Sequence, residues 1–133
     1  MTTLTHRTYT IRQLTKEFGV TARTLRFYED EGLIAPERRG QTRIYSTRDR
    51  ARIILILRGR RVGFSLAEIR EILDLYRHDG GTAQLVHTRK KFVERIETLQ
   101  RQKVDIDESL KMLHSGIADI DAQLASGHAQ AAA

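Results

Sequence analysis

The sequence predicts a mainly α-helical fold: a winged helix-turn-helix domain followed by one long C-terminal helix that forms a coiled coil. Three observations carry this. Two short segments with helical apolar spacing, Ile11 to Phe18 and Val20 to Leu33, meet at Gly19. A basic stretch around Gly40 has the pattern of a small hairpin. From residue 85 to residue 124, apolar side chains recur in alternating steps of four and three.

Residues 1–9 read as a polar lead-in, expected to be mobile as far as Tyr9. Thr10 and Gln13 fit a capping box, in which side chain and backbone at a helix start satisfy each other. Ile11, Leu14 and Phe18 then fall on one helical face. Gly19 ends that helix, since glycine enters the left-handed conformation at no steric cost. Thr21 caps the next helix, which stops near Gly32. Leu25 turns to the core, while Arg23, Arg26 and Glu29 lie on or beside another face. Two short helices joined by a tight Gly-containing turn form a helix-turn-helix, whose second helix enters the DNA major groove.

Leu33-Ile34-Ala35 leads into Pro36, the chain's single proline. The segments flanking Gly40 predict a β-hairpin, with Gly40 in the turn and Ile44 on its buried side. Arg38, Arg39 and Arg43 crowd this ribbon, as a wing lying along a phosphate backbone requires; the alternative is a solvated loop. Ser46 and Asp49 again supply a cap and an acid at a helix start. That helix runs through the apolar Ile53 to Leu57, flanked by arginines, and ends near Gly63. Ser65-Leu-Ala-Glu68 is a further capping box, and Leu66, Ile69, Leu73 and Tyr76 follow with helical spacing. Residues 47–76 are therefore expected to form a second helix pair.

His78-Asp-Gly-Gly81 breaks the pattern. Beyond it, positions 85, 89, 92, 96, 99, 103, 106, 110, 113, 117, 120 and 124 hold ten apolar residues out of twelve, a coiled-coil repeat. At about 1.5 Å per residue this helix rises roughly 58 Å, too long to bury its stripe on the front domain. A partner is expected, most simply a second copy of the chain, with Phe92, Ile96, Leu99, Ile106, Leu110 and Leu113 in the seam. Arg89 and Lys103 interrupt the seam. They set register or snorkel, or Arg89 joins Lys90 and Lys91 in facing an anionic effector. Ser115-Gly116 is the weakest point of the rod, and the tail from Ser126 is expected to be disordered. The expected divisions are a domain over 1–77, a hinge loop over 78–81, a dimerisation helix over 82–125 and a tail over 126–133.

Charge separates the same two parts. Residues 1–63 carry 14 Lys/Arg against 6 Asp/Glu, and residues 64–133 carry 9 against 11. A basic front meets a polyanion, and the excess of arginine suits phosphate and guanine. The absence of cysteine from these 133 residues excludes disulfides, thiolate metal sites and cysteine nucleophiles. The five histidines are scattered without the spacing of a metal site, so neither a metal nor catalytic residues are expected. The longest apolar run, Ile53 to Leu57, is far short of the ~20 residues of a membrane span, and the N-terminus has no apolar signal core. A soluble, cytoplasmic protein with no membrane partner is expected.

The runs TLRFYEDEGLIAPERRGQTRIYSTRD (Thr24 to Asp49) and RRVGFSLAEIREIL (Arg60 to Leu73) resemble the MerR family of bacterial transcription regulators. The order of elements is also similar. Phe27 and Thr42 depart from the family pattern, in which aromatic or tyrosine residues are common at those places. The resemblance implies a DNA-binding regulator and not an enzyme. It places Thr21, Arg23 and Arg26 on the recognition helix, with Tyr28, and Arg43 and Tyr45 of the wing, on backbone phosphate. It also implies a homodimer joined by an antiparallel coiled coil. That dimer would bind double-stranded promoter DNA where RNA polymerase binds, and act by untwisting the spacer DNA. The stretch from Pro36 to Glu68, with LYRHDGG (Leu75 to Gly81), looks like the LiuR-type regulators of leucine/isovalerate and related acyl-CoA catabolism. The implied effector is then an acyl-CoA, with Arg89, Lys90 and Lys91 meeting its phosphates. The competing reading from another class is a coiled-coil adaptor or assembly protein whose basic face is incidental.

Overall fold

A computed structural model describes residues 7–77 and 81–132. The elements in chain order are β1 (Thr8–Tyr9), α1 (Ile11–Phe18), α2 (Ala22–Asp30), β2 (Glu37–Arg39), β3 (Thr42–Ser46), α3 (Thr47–Arg61), α4 (Leu66–Arg77) and α5 (Thr82–Ala132). The chain divides into two compact units, residues 1–89 and residues 90–133.

Local chemistry sets the helix starts of the first unit. Gln13 N donates to Thr10 Oγ1 (3.1 Å) and Thr10 N to Gln13 Oε1 (2.9 Å), closing the expected capping box. Thr24 N donates to Thr21 Oγ1 at 3.1 Å at the head of α2. Ser46 and Asp49 form a second box, and Ser65 and Glu68 a third. Each box replaces orphan N–H contacts with water, a contribution of about 1 kcal/mol per cap. Helix α1 ends at Gly19 (φ 65°). Helix α2 closes with Gly32 N on Glu29 O and Leu33 N on Tyr28 O, both 2.9 Å, around a left-handed Gly32.

The expected hairpin is present. β2 and β3 pair antiparallel with Glu37 opposite Ile44, Arg38 opposite Arg43 and Arg39 opposite Thr42. Gly40 (φ 64°) is the first residue of the two-residue turn and Gln41 has negative φ, the pattern of a II′ turn. One strand was not expected. Thr8 and Tyr9, read from sequence as the end of a mobile lead-in, pair with Ser46 and Tyr45 and make the sheet three-stranded, in the order β1-β3-β2. Side chains hold it as well: Tyr9 lies against the guanidinium of Arg7 (5.4 Å) and that of Arg50 (5.7 Å), and Arg50 also lies 5.7 Å from the Phe18 ring. Arg50 pairs in addition with Glu17 of α1.

One core joins these pieces. Leu14 of α1, Leu25 of α2, Leu33 of the following turn, Tyr45 of β3, Ile53 and Ile56 of α3, and Ile69 and Leu73 of α4 are all buried in it. The expected apolar middle of α3 thus lies inward, and α4 packs on α3. Gly59 allows that approach, since a Cβ built there lies 2.8 Å from Ile69 Cγ1. The side chain of Tyr76, residues 78–80 of the expected 78–81 hinge, residues 1–6 and Ala133 lie outside the described residues. In the first unit α5 begins with Gln84 N and Leu85 N on Gly81 O, and His87 Nε2 reaches Glu71 Oε2 at 3.2 Å. This contact ties the start of α5 to α4, and the first compact unit runs to Arg89.

The second unit is α5 from Lys90 onward. Its helix continues without a break through Ser115-Gly116 and through Ser126-Gly127 to Ala132, where the sequence reading placed a weak point and a disordered tail. Isolated glycines cost a helix about 1 kcal/mol each without ending it, and the alanines beyond residue 127 are the best helix formers. The seam residues Phe92, Ile96, Leu99, Ile106, Leu110 and Leu113 all lie exposed on the single chain.

Gly59→Ala tests the α3–α4 contact. In an open helix this change stabilises by about 1 kcal/mol. Here the added methyl overpacks against Ile69, and urea unfolding should show a loss of about 1–3 kcal/mol. A gain in stability would show that Ile69 repacks freely.

Candidate nucleic-acid interface

Helix α2 is the centre of the site. Its inward face is Leu25 and Tyr28, three apart, and its outward face carries Arg23, Arg26 and Phe27. Arg23 and Arg26 are exposed, and no ion pair reaches either of them among the described residues. Thr21 is exposed too, but its oxygen is occupied as the cap, with Thr24 Oγ1 2.9 Å away. Tyr28, expected on phosphate, is mostly buried and keeps only an edge on the groove described below. Its side chain is a core residue, 6% exposed, because helical spacing from Leu25 turns it inward. The aromatic that faces outward is its neighbour Phe27, 45% exposed, with ring centroids 6.0 Å apart. Arg23, Thr24, Phe27 and Tyr28 join Arg60 of α3 in lining a groove of about 380 Å³. The sequence reading missed Arg60 as a neighbour of the site, and gave Phe27 only as a departure from the family pattern. For Phe27 the signal was present, since it lies four residues after Arg23 on the same face.

The wing stands beside α2 through one carboxylate. Arg43 Nε donates to Glu29 Oε1 at 2.7 Å, and Arg38 Nη2 donates to Glu29 Oε2 at 3.1 Å. Burial pushes the Glu29 carboxyl up, but the hydrogen bonds from Arg43 and then Arg38 outweigh it and hold the group below the usual carboxylate range. The Glu29 hydrogen bond, working against burial, raises Arg43 in turn. Arg39, on the same ribbon, is exposed and no ion pair reaches it among the described residues. The expected basic wing is therefore present, and two of its three arginines are already engaged.

Tyr45 is the clearest correction. Read as a phosphate contact of the wing, it is 0% exposed, and its hydroxyl is buried with no hydrogen-bond partner among the described residues. Desolvation raises its pKa. Arg43 and Tyr45, two residues apart, share the face of β3 that turns toward the helices, with Ile44 on the other face. Arg43 meets Glu29 of α2, while Tyr45, opposite Tyr9, lies in the core.

The end of α2 is fastened from behind. Arg52 Nε of α3 donates to Leu33 O, and Arg70 Nη2 of α4 to Glu31 O, each at 2.6 Å. Cations at a helix C-terminus complement its dipole. Asp49, buried at the head of α3, also accepts from Ala35 N at 3.2 Å, fixing the loop between α2 and the wing.

The geometry is thus a short helix with two exposed arginines, a basic hairpin at its side, and a core behind both. The chain matches the family described as MerR HTH family regulatory protein over residues 9–75, and that described as MerR, DNA binding, over residues 50–116. The chain belongs to the MerR family. Among its relatives, the HTH-type transcriptional regulator CueR of Vibrio cholerae is 33% identical over 81% of this chain and 78% of that protein. The nodulation protein NolA of Bradyrhizobium elkanii is 34% identical over 83% of this chain and 48% of its own length. A MerR family regulator structure from Listeria monocytogenes superposes with a TM-score of 0.70 at 26% identity, covering 92% of each chain. The fold is also that of HiNmlR, a MerR family regulator lacking the sensor domain and bound to promoter DNA, with a TM-score of 0.63 at 23% identity over 79% of this chain and 80% of that one.

As a MerR family member this chain is a DNA-binding transcription regulator and not an enzyme. No helix among the described residues is long and apolar enough to cross a membrane.

Tyr45→Phe separates core from contact. Removing an unpaired buried hydroxyl should leave stability unchanged or raise it by up to about 1–3 kcal/mol. DNA affinity in a gel-shift titration should not move. A loss of affinity with stability intact would show that the hydroxyl reaches DNA.

Proposed function

We propose that the chain works as a homodimer, joined along α5 in an antiparallel coiled coil, that binds an inverted repeat in a promoter. The observation that carries this is the unpartnered apolar stripe of the second unit, in which Ile96 is 52%, Ile106 58% and Leu113 60% exposed on the single chain. Apolar area left in water is unfavourable by about 25 cal/mol per Å², and the four-three spacing of the stripe fits a second copy of the same helix. Two copies supply two α2 helices and two wings. Arg23 and Arg26 then enter the groove, while Arg38, Arg39 and Arg43 hold phosphate beside it.

Phosphate contacts from helix and wing grip the duplex at two places, and most of them are blind to sequence. A dimer that grips each half-site in this way levers the DNA between them. We infer that it untwists a spacer too long for RNA polymerase, so that regulation acts through DNA shape.

The likeness of Pro36 to Glu68 to LiuR-type regulators supports a branched-chain amino acid or acyl-CoA catabolic operon as the target. The effector of that reading is an acyl-CoA thioester. Its phosphates would meet Arg89, Lys90 and Lys91, three consecutive cations of α5.

Two experiments test these readings. Leu99→Glu should convert the dimer to a monomer in sedimentation and abolish protection of the promoter in footprinting. A monomer that protects a full inverted repeat would overturn the architecture, and equal weak binding to all DNA would favour an assembly protein. A thermal-shift series should show stabilisation by acyl-CoA thioesters, reduced when Arg89 and Lys90 are both changed to alanine. No shift with any thioester would remove the effector assignment.

A further inference from the structure

We propose that Glu29 is a positioning residue for DNA recognition: its carboxylate sets the two wing arginines and the recognition helix into one rigid phosphate-binding surface. This rests on the DNA-binding reading above and assigns a role to a residue of opposite charge to the ligand.

Three observations carry it. First, Arg38 and Arg43 are directly opposed in the β2–β3 register. Like charges at such a pair repel, so the hairpin by itself would splay them. Second, one carboxylate lies between them, using one oxygen for each: Oε1 to Arg43 at 2.7 Å, Oε2 to Arg38 at 3.1 Å. Third, the pairing leaves the arginines able to bind. Glu29 takes only Nε of Arg43 and one amino group of Arg38, out of five N–H donors on each guanidinium. A carboxylate that served only to neutralise the wing would gain most by engaging a guanidinium fork with both oxygens. Glu29 instead divides its oxygens and holds two planar groups at fixed positions beside Arg26, one turn away on the same helix.

Charge and geometry predict opposite outcomes. Removing a carboxylate from a DNA-facing surface raises attraction for every duplex. Losing the alignment of Arg38 and Arg43 weakens only the complex that needs them in register. The test uses the full-length protein, the promoter duplex that its own footprint defines, and a scrambled duplex of equal length and composition. Glu29→Gln should lower the ratio of promoter to scrambled affinity by about fivefold or more, with scrambled binding unchanged or tighter. Glu29→Asp keeps the charge but is one methylene too short to span both arginines, and it should lose the preference as well. Arg43→Gln should cost less promoter affinity in the Glu29→Gln background than in the wild type.

The proposal is overturned if Glu29→Gln tightens both duplexes by one factor, if Glu29→Asp binds as the wild type does, or if the cost of Arg43→Gln is the same in both backgrounds. Melting curves keep a folding defect apart from these outcomes, and Glu29→Asp remains decisive should Glu29→Gln unfold. A wild-type protein that does not prefer its promoter duplex would fail the DNA-binding reading itself, before any variant is made.

Discussion

A helix of nine residues does not hold its own shape in water, because nucleating it fixes several residues for one hydrogen bond. Helix α2 is such a helix, and the site depends on the contacts that impose its geometry. Leu25 and Tyr28 press it to the core. Arg52 and Arg70 bind carbonyls at its far end from two different helices. Glu29 binds it to the wing. The recognition surface is thus a product of α3, α4 and β3 as much as of α2. This explains why the second helix pair belongs to the same compact unit.

The fastening changes how the charge is counted. The formal excess of the front is large, but many of its arginines already have work inside the fold. Arg50 is held by Glu17 and by two aromatic rings, Arg52 binds the Leu33 carbonyl, and Arg38 and Arg43 share Glu29. Salt dependence of DNA binding follows the phosphates actually neutralised, not the formal charge of the protein. Arg23, Arg26 and Arg39, which no ion pair reaches among the described residues, are among those whose charge faces outward.

What was legible in the sequence was what local chemistry determines. The three capping boxes, the glycine that ends α1, the hairpin turn at Gly40 and the heptad stripe each rest on residues a few positions apart. What was not legible depends on distant partners. Thr8 and Tyr9 form a strand only because β3 offers an edge some 37 residues later. Nothing near Tyr45 in sequence says that it is sealed, since the helices that cover it come from both sides of it in the chain. The same holds in part for Tyr28 and Phe27. Their order along the helix and the inward turn of Leu25 could be read, and Tyr28 follows Leu25 by three residues; how far that face is sealed depends on where α1 and α3 lie.

Glu29 shows why composition alone misreads such a surface. An acidic residue on a DNA-facing helix counts against binding if charges are summed. Its value lies in where its two oxygens are. Two guanidinia on adjacent strands need an anion between them to stand close, and a fixed anion supplied by the protein costs no ordering when DNA arrives. The duplex then meets arginines that are already placed, and loses less to side-chain entropy in fixing them. The repulsion that would spread the wing becomes, through one carboxylate, the reason the wing and helix move as one.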